Sequence, residues 1–196
     1  MDSSPIHAAA YLEALGPFRI HTFQYSRLAG LRTKDGIRRI LSENGITVAE
    51  ERIDSLAAAK SKIALERMVR ENPIAPDARA VLEALSQRHR LALASSGSAA
   101  SVNAFVDGNG IRSFFECVLH SDDIANAKPS PEIFLTAFHR LGIAPEKCVV
   151  VEDAVAGIQA ARAAGGVACG IPSTCAAGDL EQAGADFIID RLEDLL

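Results

Sequence analysis

Five short apolar runs in the second half of the sequence limit the fold of this chain more than any other feature. They contain few polar residues and lie at 91–94, 115–119, 148–151, 167–171 and 187–189. Near-continuous apolar runs of this length are typical of parallel strands that are covered on both faces. Segments with helical periodicity separate the runs, so the sequence predicts a doubly wound, parallel, Rossmann-like α/β sheet.

The sequence also marks the ends of the helices between these runs. Ser130 is a predicted N-cap, Pro131 occupies the predicted first helical position, and Gly142 ends that helix. A second helix is predicted from about residue 155 to residue 164, where Gly165 and Gly166 stop it.

The first half of the sequence has a different pattern. From about residue 6 to residue 85, apolar residues recur at helical spacing and strand signals are almost absent. The residues that define this spacing are Ile37, Ile40 and Leu41, followed by Ile63, Leu65, Met68 and Val69. The proline-containing stretch at 71–76 is interpreted as a hinge between this helical part and the sheet.

Charge and hydropathy exclude several classes of partner. The 196 residues carry 20 Lys and Arg against 25 Asp and Glu, so the formal net charge is −5 and no broad cationic surface is available. No run approaches the roughly 20 apolar residues of a membrane span, and the N-terminus lacks a signal-peptide pattern. We therefore expect a cytoplasmic protein that has neither nucleic acid nor a membrane as a partner.

The four cysteines are widely spaced and form no CxxC pair. This pattern favours neither a zinc site nor a disulfide framework. Cys117, Cys148, Cys169 and Cys175 are interpreted as small core residues of a protein in a reducing compartment.

Polar residues that directly follow the apolar runs are the candidates for chemistry, because ligands of such sheets bind at the carboxyl ends of the strands. Ser95, Ser96, Gly97 and Ser98 follow the first run. Hydroxyl groups and free backbone N–H groups around a glycine can bind an anion. The alternative is a serine-rich turn that only caps the next helix.

Glu152 and Asp153 follow the third run. Two adjacent carboxylates at the end of a strand supply the hard oxygen ligands that suit Mg²⁺. The alternative is that Asp153 only caps the helix that follows.

A third polar edge leads from the second run through a loop to Lys128, which precedes a proline and a helix start. A lysine fixed at that point can place an ammonium beside phosphate and carboxylates, whereas a lone surface lysine usually has no such role.

Together, the order and spacing of these features resemble the haloacid dehalogenase (HAD) superfamily. The resemblance covers essentially the whole chain and is closest to the β-phosphoglucomutase-like and phosphoglycolate-phosphatase-like branch. It implies an inserted helical cap over residues 6–79 and an α/β core formed by residues 1–5 and 80–196. The features that carry it are the hydroxyl edge at Ser95, the Lys128-Pro129 loop, and Val150-Val151-Glu152-Asp153 ahead of Gly157-Ile158-Gln159-Ala160-Ala161.

The resemblance also implies a role for each matched residue. Ser95, with Ser96 and Gly97, would bind a phosphoryl oxygen, and Lys128 would neutralise charge on the nucleophile and on the transferring phosphoryl group. Asp153 and Glu152 would hold Mg²⁺. In this family an Asp attacks phosphorus, a second Asp two residues later acts as general acid and base, and water then releases phosphate.

The family's nucleophile belongs to a DxDG motif at the end of the first strand, and no such motif occurs in this sequence. The opening residues resemble the segment that directly follows that motif, and Asp2 is not a substitute for the nucleophile. The first strand of the family is central, between the strands that end at Ser95 and Asp153. We expect the nucleophile upstream of Met1, because of a misassigned start, a truncation or a damaged gene, and we expect the chain as given to be inactive and unstable.

Substrate choice in this family lies with the cap. His7 matches a cap-entry position that approaches substrate in relatives, and Arg32 and Lys62 are cations that can face a phosphorylated ligand. The alternatives are that His7 braces the hinge and that the two cations are solvated charges on helices.

The sequence thus predicts a monomeric, Mg²⁺-dependent phosphomonoester hydrolase of a small phosphorylated metabolite of the sugar-phosphate type, provided that the first strand exists. One alternative is a phosphosugar mutase, and another is a non-catalytic HAD-like remnant. Dehalogenase activity ranks lower, because the carboxylate pair fits a metal site and dehalogenases of this family work without Mg²⁺.

Overall fold

The structure is a computed structural model that describes residues 3–72, 74 and 77–196. Asp2 lies outside these residues, as do residues 73, 75 and 76 of the predicted hinge at 71–76. The boundaries of the predicted cap, 6–79, remain a prediction.

The first half of the described chain is helical, as its periodicity predicts. No strand occurs among the described residues before residue 92. The helices there are α1 (Ser4–Ala14), α2 (Thr33–Glu43), α3 (Glu50–Glu71) and α4 (Ala78–Ser86). Ile37, Ile40 and Leu41 of α2 are buried, which confirms the apolar face predicted for that helix.

The buried face of α3 differs in part from the predicted one. Met68 is buried, but Val69 is 64% exposed, so its place on the apolar face was wrong. The stripe that packs inward follows the helical repeat through the whole helix. Its members are Ile53, Leu56, Ala57, Lys60, Ala64 and Met68.

The second half forms the predicted parallel α/β structure. Its strands are β1 (Ala92–Ala94), β2 (Cys117–Leu119), β3 (Val149–Glu152), β4 (Val167–Gly170) and β5 (Phe187–Ile188). Its helices are α5 (Ala99–Gly108), α6 (Glu132–Leu141), α7 (Val155–Ala163) and α8 (Ala177–Gln182). Each strand coincides with one of the apolar runs of the sequence, and β3 extends one residue past its run to Glu152.

The strands form two parallel sheets instead of one continuous sheet. β1 pairs with β2, and β4 lies between β3 and β5. The interruption falls between β1 and β3, where the resemblance places the family's first strand. A shared layer of helices joins the two sheets, since α6 packs on β1 and β2, α7 packs on β3 and β4, and α6 also contacts α7.

Three groups of buried apolar residues hold these elements together. One lies between the sheets and α6, α7 and α8, and a second fills the space between α1, α2 and α3. The third joins the two halves of the chain, because Ile6 of α1 and Met68 of α3 pack against Phe105 and Val106 of α5.

None of the described helices has both the length and the apolar character needed to cross a membrane.

The helix ends follow the sequence signals closely. Gly142 and Gly165 end α6 and α7 with φ of 64° and 81°, a left-handed conformation that glycine adopts without strain. Pro131 is the N-cap residue of α6 and not its first helical residue, a shift of one position from the prediction. The four cysteines are free. Cys148, Cys169 and Cys175 are buried, as expected for core residues, whereas Cys117 is only partly buried.

Candidate active site

A cavity of about 490 Å³ lies at the carboxyl ends of β1 and β3, beneath the helices of the first half. Ser95, Ser96, Gly97, Lys128, Glu152 and Asp153 line its core side. His7, Tyr11 and Lys60 line the opposite side. The fold therefore brings together the three polar strand edges that the sequence singled out.

The hydroxyl edge after β1 forms a compact turn at the rim of the cavity. The Ser95 hydroxyl accepts a hydrogen bond from the Gly97 backbone N–H at 3.1 Å, so the loop bends back directly after the strand. The Ser96 hydroxyl donates to the carbonyl of Gly30 at 3.1 Å, which ties the loop to the helical half. Ser98 caps α5 and accepts from the Ser101 N–H. The helix cap is thus Ser98, while Ser95 and Ser96 make the other contacts of this loop.

Lys128 is the buried cation of the cavity, with only 5% of its surface exposed. Its ammonium forms an ion pair with Glu152 and donates to the carbonyl of Ala94 at 3.3 Å. It also lies 4.7 Å from the centre of the Phe134 ring, a favourable cation–π distance. Lys128 therefore joins the ends of β1 and β3, and it is not the surface lysine that the sequence left as an alternative.

Glu152 is held close to α7 by the absence of a side chain at Gly157. A Cβ atom at position 157 would overlap the Glu152 carboxylate, so a side chain there would displace this buried group. Burial raises the pKa of the Glu152 carboxyl, an effect that the neighbouring Lys128 opposes. The pair is thus a nearly dry ion pair, and loss of either partner would leave the other charge buried and unpaired.

Asp153 faces the cavity and is held by hydroxyl groups from the loop after β4. Its Oδ2 atom accepts hydrogen bonds from Ser173 Oγ at 2.9 Å and from Thr174 Oγ1 at 2.6 Å. The Thr174 hydroxyl has one hydrogen, which Asp153 receives, so the 2.6 Å contact with Ser4 is a hydrogen bond from the Ser4 hydroxyl. This chain of hydroxyls connects the start of α1 to Asp153. Asp153 does not cap α7, whose N-cap is Ala154.

The carboxylates fit an open magnesium site but not a closed one. The described residues contain no group of three or more His, Cys, Asp or Glu side chains that can hold a metal. Protein-bound Mg²⁺ commonly keeps several waters and uses one or two carboxylates together with substrate phosphate. Asp153 and Glu152 match that donor set in number and type. Asp153 is the better placed of the two, because Lys128 already occupies the Glu152 carboxylate.

His7 and Lys60 form a polar pair on the helical side of the cavity. The Lys60 ammonium lies 3.1 Å from His7 Nδ1, and because an ammonium can only donate, Nδ1 is the acceptor. Burial lowers the pKa of Lys60 to about 8. Burial and the nearby Lys60 charge lower the pKa of His7 to about 3, so His7 is neutral at pH 7. Lys60 also lies 4.5 Å from the Tyr11 ring centre.

The other two predicted cap residues do not line the cavity. Lys62 has a 78% exposed side chain and lies 4.0 Å from Glu66, so it is a solvated helix charge and not a ligand of the pocket. Of the two alternatives for Lys62, the structure agrees with the solvated charge, because residues 60 and 62 lie on opposite sides of α3 and residue 60 faces inward. Arg32 instead binds the core, since its Nη2 atom donates to the carbonyls of Ile124 at 2.9 Å and Ala125 at 2.5 Å.

Sequence reasoning missed Lys60 and Thr174. A usable signal for Lys60 was present, because the spacing of Ile53, Leu56 and Ala57 continues to residue 60 and places it on the inward face. No local signal was available for Thr174, which reaches Asp153 only through the tertiary fold.

The fold and the cavity together define a class of protein: a parallel α/β core with a polar pocket at the carboxyl ends of its strands, covered by helices from the first half of the chain. Comparison with known proteins narrows this class. Residues 2–165 match the haloacid dehalogenase-like hydrolase family.

Individual relatives agree with this match. Fructose-1-phosphate phosphatase YqaB of Escherichia coli is 30% identical over 166 residues, which are 84% of this chain and 87% of that protein. A phosphorylated carbohydrates phosphatase of Thermotoga maritima is 28% identical over 84% of this chain and 76% of its own length. The crystal structure of β-phosphoglucomutase from Clostridium difficile superposes with a TM-score of 0.86 at 25% identity, covering 100% of this chain and 87% of that one.

The protein therefore belongs to the haloacid dehalogenase-like hydrolases. The fold, the order of the strand edges and the match over most of the chain confirm the family that the sequence resembles.

Proposed function

We propose that this protein is the catalytic scaffold of a Mg²⁺-dependent phosphomonoester hydrolase that acts on a small phosphorylated metabolite of the sugar-phosphate type. The observation that carries the proposal is the convergence of Ser95, Lys128 and Asp153 on one cavity at the carboxyl ends of β1 and β3. The activities named for the relatives from Escherichia coli and Thermotoga maritima support the substrate class.

Each residue of the cavity has a proposed role. Ser95, Ser96 and Gly97 form the proposed phosphate-binding loop, in which the Ser95 hydroxyl donates to a phosphoryl oxygen, because the Gly97 N–H and the Ser96 hydroxyl already donate to Ser95 and Gly30. Lys128 offsets the negative charge that phosphate brings into a buried site. Asp153 and Glu152 are the proposed metal ligands. When bound, Mg²⁺ would supply positive charge beside the phosphoryl oxygens.

The covalent step needs a further carboxylate. Glu152 and Asp153 are the only acidic side chains lining the cavity among the described residues, and the first is paired with Lys128 while the second is held by Ser173 and Thr174. We propose that a nucleophilic Asp attacks phosphorus to give an aspartyl-phosphate, that it comes from a DxDG segment ahead of Met1, and that the chain as given does not turn over.

Phosphate release from fructose 1-phosphate and other sugar phosphates in the presence of Mg²⁺ tests this proposal. The assay compares the given chain with a chain extended by an apolar segment that ends in Asp-x-Asp-Gly. We expect release only by the extended chain, with loss of activity in the extended D153N variant and after metal chelation. Phosphate release by the unextended chain would refute the assigned nucleophile. Absence of phosphate release by the folded, extended chain would favour the non-catalytic remnant.

The mutase remains a second candidate because of the His7–Lys60 pair. Two groups on the helical side of the cavity, one of them a buried ammonium, can hold a second part of a phosphorylated substrate away from the reacting phosphate. Phosphorus NMR of the extended chain with a hexose 1-phosphate distinguishes the two activities, since a hydrolase yields inorganic phosphate and a mutase yields the isomeric sugar phosphate.

A further inference from the structure

Asp153, the better placed of the two proposed metal ligands, is held through only one of its carboxylate oxygens. Both described hydrogen bonds to this carboxylate end on Oδ2, from Ser173 Oγ at 2.9 Å and from Thr174 Oγ1 at 2.6 Å. Oδ1 receives no hydrogen bond from a described residue, and Asp153 lines the cavity. The two hydroxyls thus fix the rotation of the carboxylate and leave one oxygen for another partner.

The loop that supplies these hydroxyls is anchored at both ends. At its start, the Ile171 N–H donates to the carbonyl of Glu152 at 2.9 Å. At its end, Cys175 is buried in the group of apolar residues between the sheets and their helices. Pro172 restricts the backbone between the two anchors. The loop therefore holds the hydroxyls at residues 173 and 174 in a set position beside the end of β3.

Thr174 differs from Ser173 in two respects. The hydrogen bond from Thr174 to Asp153 is partly buried, whereas that from Ser173 is exposed to solvent. Thr174 also accepts a hydrogen bond from Ser4 at 2.6 Å, so its own hydrogen is directed to Asp153. A hydrogen bond to a charged group is stronger where water does not compete for it. Thr174 therefore holds Asp153 more firmly than Ser173 does.

We propose that Thr174 is a positioning residue for the metal, which holds Oδ2 of Asp153 and so keeps Oδ1 for Mg²⁺, with Ser173 as a weaker second donor. Carboxylates that bind metals are themselves commonly hydrogen-bonded, and loss of such a partner lowers metal affinity by about 10- to 100-fold. The inference rests on the proposed function in one respect, the assignment of Asp153 as a metal ligand. It does not involve the nucleophile, so the chain as given is sufficient for its test.

A titration with Mn²⁺ followed by NMR tests the proposal, because this paramagnetic ion can replace Mg²⁺ and broadens the signals of nearby amides. In the wild type we expect broadening at residues 152–155. T174V keeps the size of the side chain but lacks the hydroxyl, so Mn²⁺ should bind about tenfold more weakly. T174A lacks the same hydroxyl without a methyl group in its place and should weaken binding equally.

The matched variants separate the hydroxyl from the shape of the side chain. T174S restores the hydroxyl and should bind Mn²⁺ within about twofold of wild type, and S173A should lose only about threefold, because its hydrogen bond is exposed. T136V is the control away from the site, since Thr136 donates to the Glu132 carbonyl at 2.8 Å within α6 and does not line the cavity. It should bind as wild type does.

Wild-type affinity in T174V and T174A would overturn the role of Thr174, as would equal weakening in T174S or in T136V. Absence of broadening near Asp153 in the wild type would overturn the proposed metal site and this inference with it. The two failures are therefore distinguishable. Since the readout is Mn²⁺ binding, a failed phosphatase assay leaves this result unaffected.

Discussion

At the scale of single residues, the position on the helix decides which lysine lines the cavity. Lys60 and Lys62 are two positions apart on the same helix, yet Lys60 is 6% exposed and faces His7 while Lys62 is in solvent. Taking an ammonium out of water costs free energy, and burial therefore lowers the pKa of Lys60. The pair offers a matched comparison, since only one of the two charges is buried.

Replacing Lys60 by methionine should change how stability depends on pH. Burial lowers the pKa of Lys60 from 10.5 to about 8, so between these pH values the unfolded chain binds one more proton than the folded chain. Stability of the wild type therefore rises across this interval because of Lys60. K60M has no lysine at this position and lacks this rise in stability. The free energy of unfolding of K60M, relative to that of wild type, should therefore fall by about 2–3 kcal/mol between pH 7 and pH 10.

The measurement is urea unfolding of wild type, K60M and K62M at each pH. K62M should follow the wild-type profile, because the Lys62 side chain is exposed. Parallel profiles for K60M and wild type would show that Lys60 is not desolvated in the folded chain.

At the scale of elements, periodicity located the helices and strands but not every face. The apolar runs became strands because a parallel sheet covered by helices needs apolar residues on both faces. In α3 the pattern was ambiguous at its end, where Met68 and Val69 are adjacent apolar residues. Only packing against α1 and α5 decides which of them is buried.

Replacing Met68 and Val69 by alanine, one at a time, measures how much each side chain contributes to stability. M68A should lower the free energy of unfolding by about 2–4 kcal/mol, because it removes a buried side chain from the group that joins α1, α3 and α5. V69A should change it by less than about 0.5 kcal/mol, because the side chain is 64% exposed. Chemical denaturation monitored by circular dichroism provides both values. Equal losses would place Val69 in a contact that the structure does not contain.

At the scale of the whole molecule, a few contacts fix the helical half over the cavity. Arg32 reaches two carbonyls of the core loop, and Gly30 accepts from Ser96. Gly30 has φ of 85°, and a Cβ at that position would lie 3.0 Å from the Ala156 side chain, so glycine permits this close approach. The loop from Leu28 to Arg32 thus forms a main junction between the halves at the rim of the cavity.

Removal of the Arg32 side chain should loosen this junction. We expect the amides of Leu28–Leu31 and of residues 124–126 to exchange about five- to tenfold faster in R32A, because the variant loses two hydrogen bonds from a charged donor. R39A is the matched control, since the hydrogen bonds of the Arg39 side chain to described residues go to Arg27 and Glu43, both within the helical half. Equal exchange in both variants, measured by mass spectrometry, would show that Arg32 does not hold the halves together.

The sequence by itself determined the class of fold, the positions of the strands and the residues at the strand ends, because these depend on local periodicity and on the rule that parallel strands end at one edge. Tertiary structure decided which of these residues meet. It paired Lys128 with Glu152, turned Lys60 inward instead of Lys62, and brought Thr174 to Asp153, which lies 21 positions earlier in the chain. The described strands pair as two sheets, and the family resemblance places the first strand of the family between them. These contacts arise from desolvation and packing between distant segments, and no local pattern encodes them.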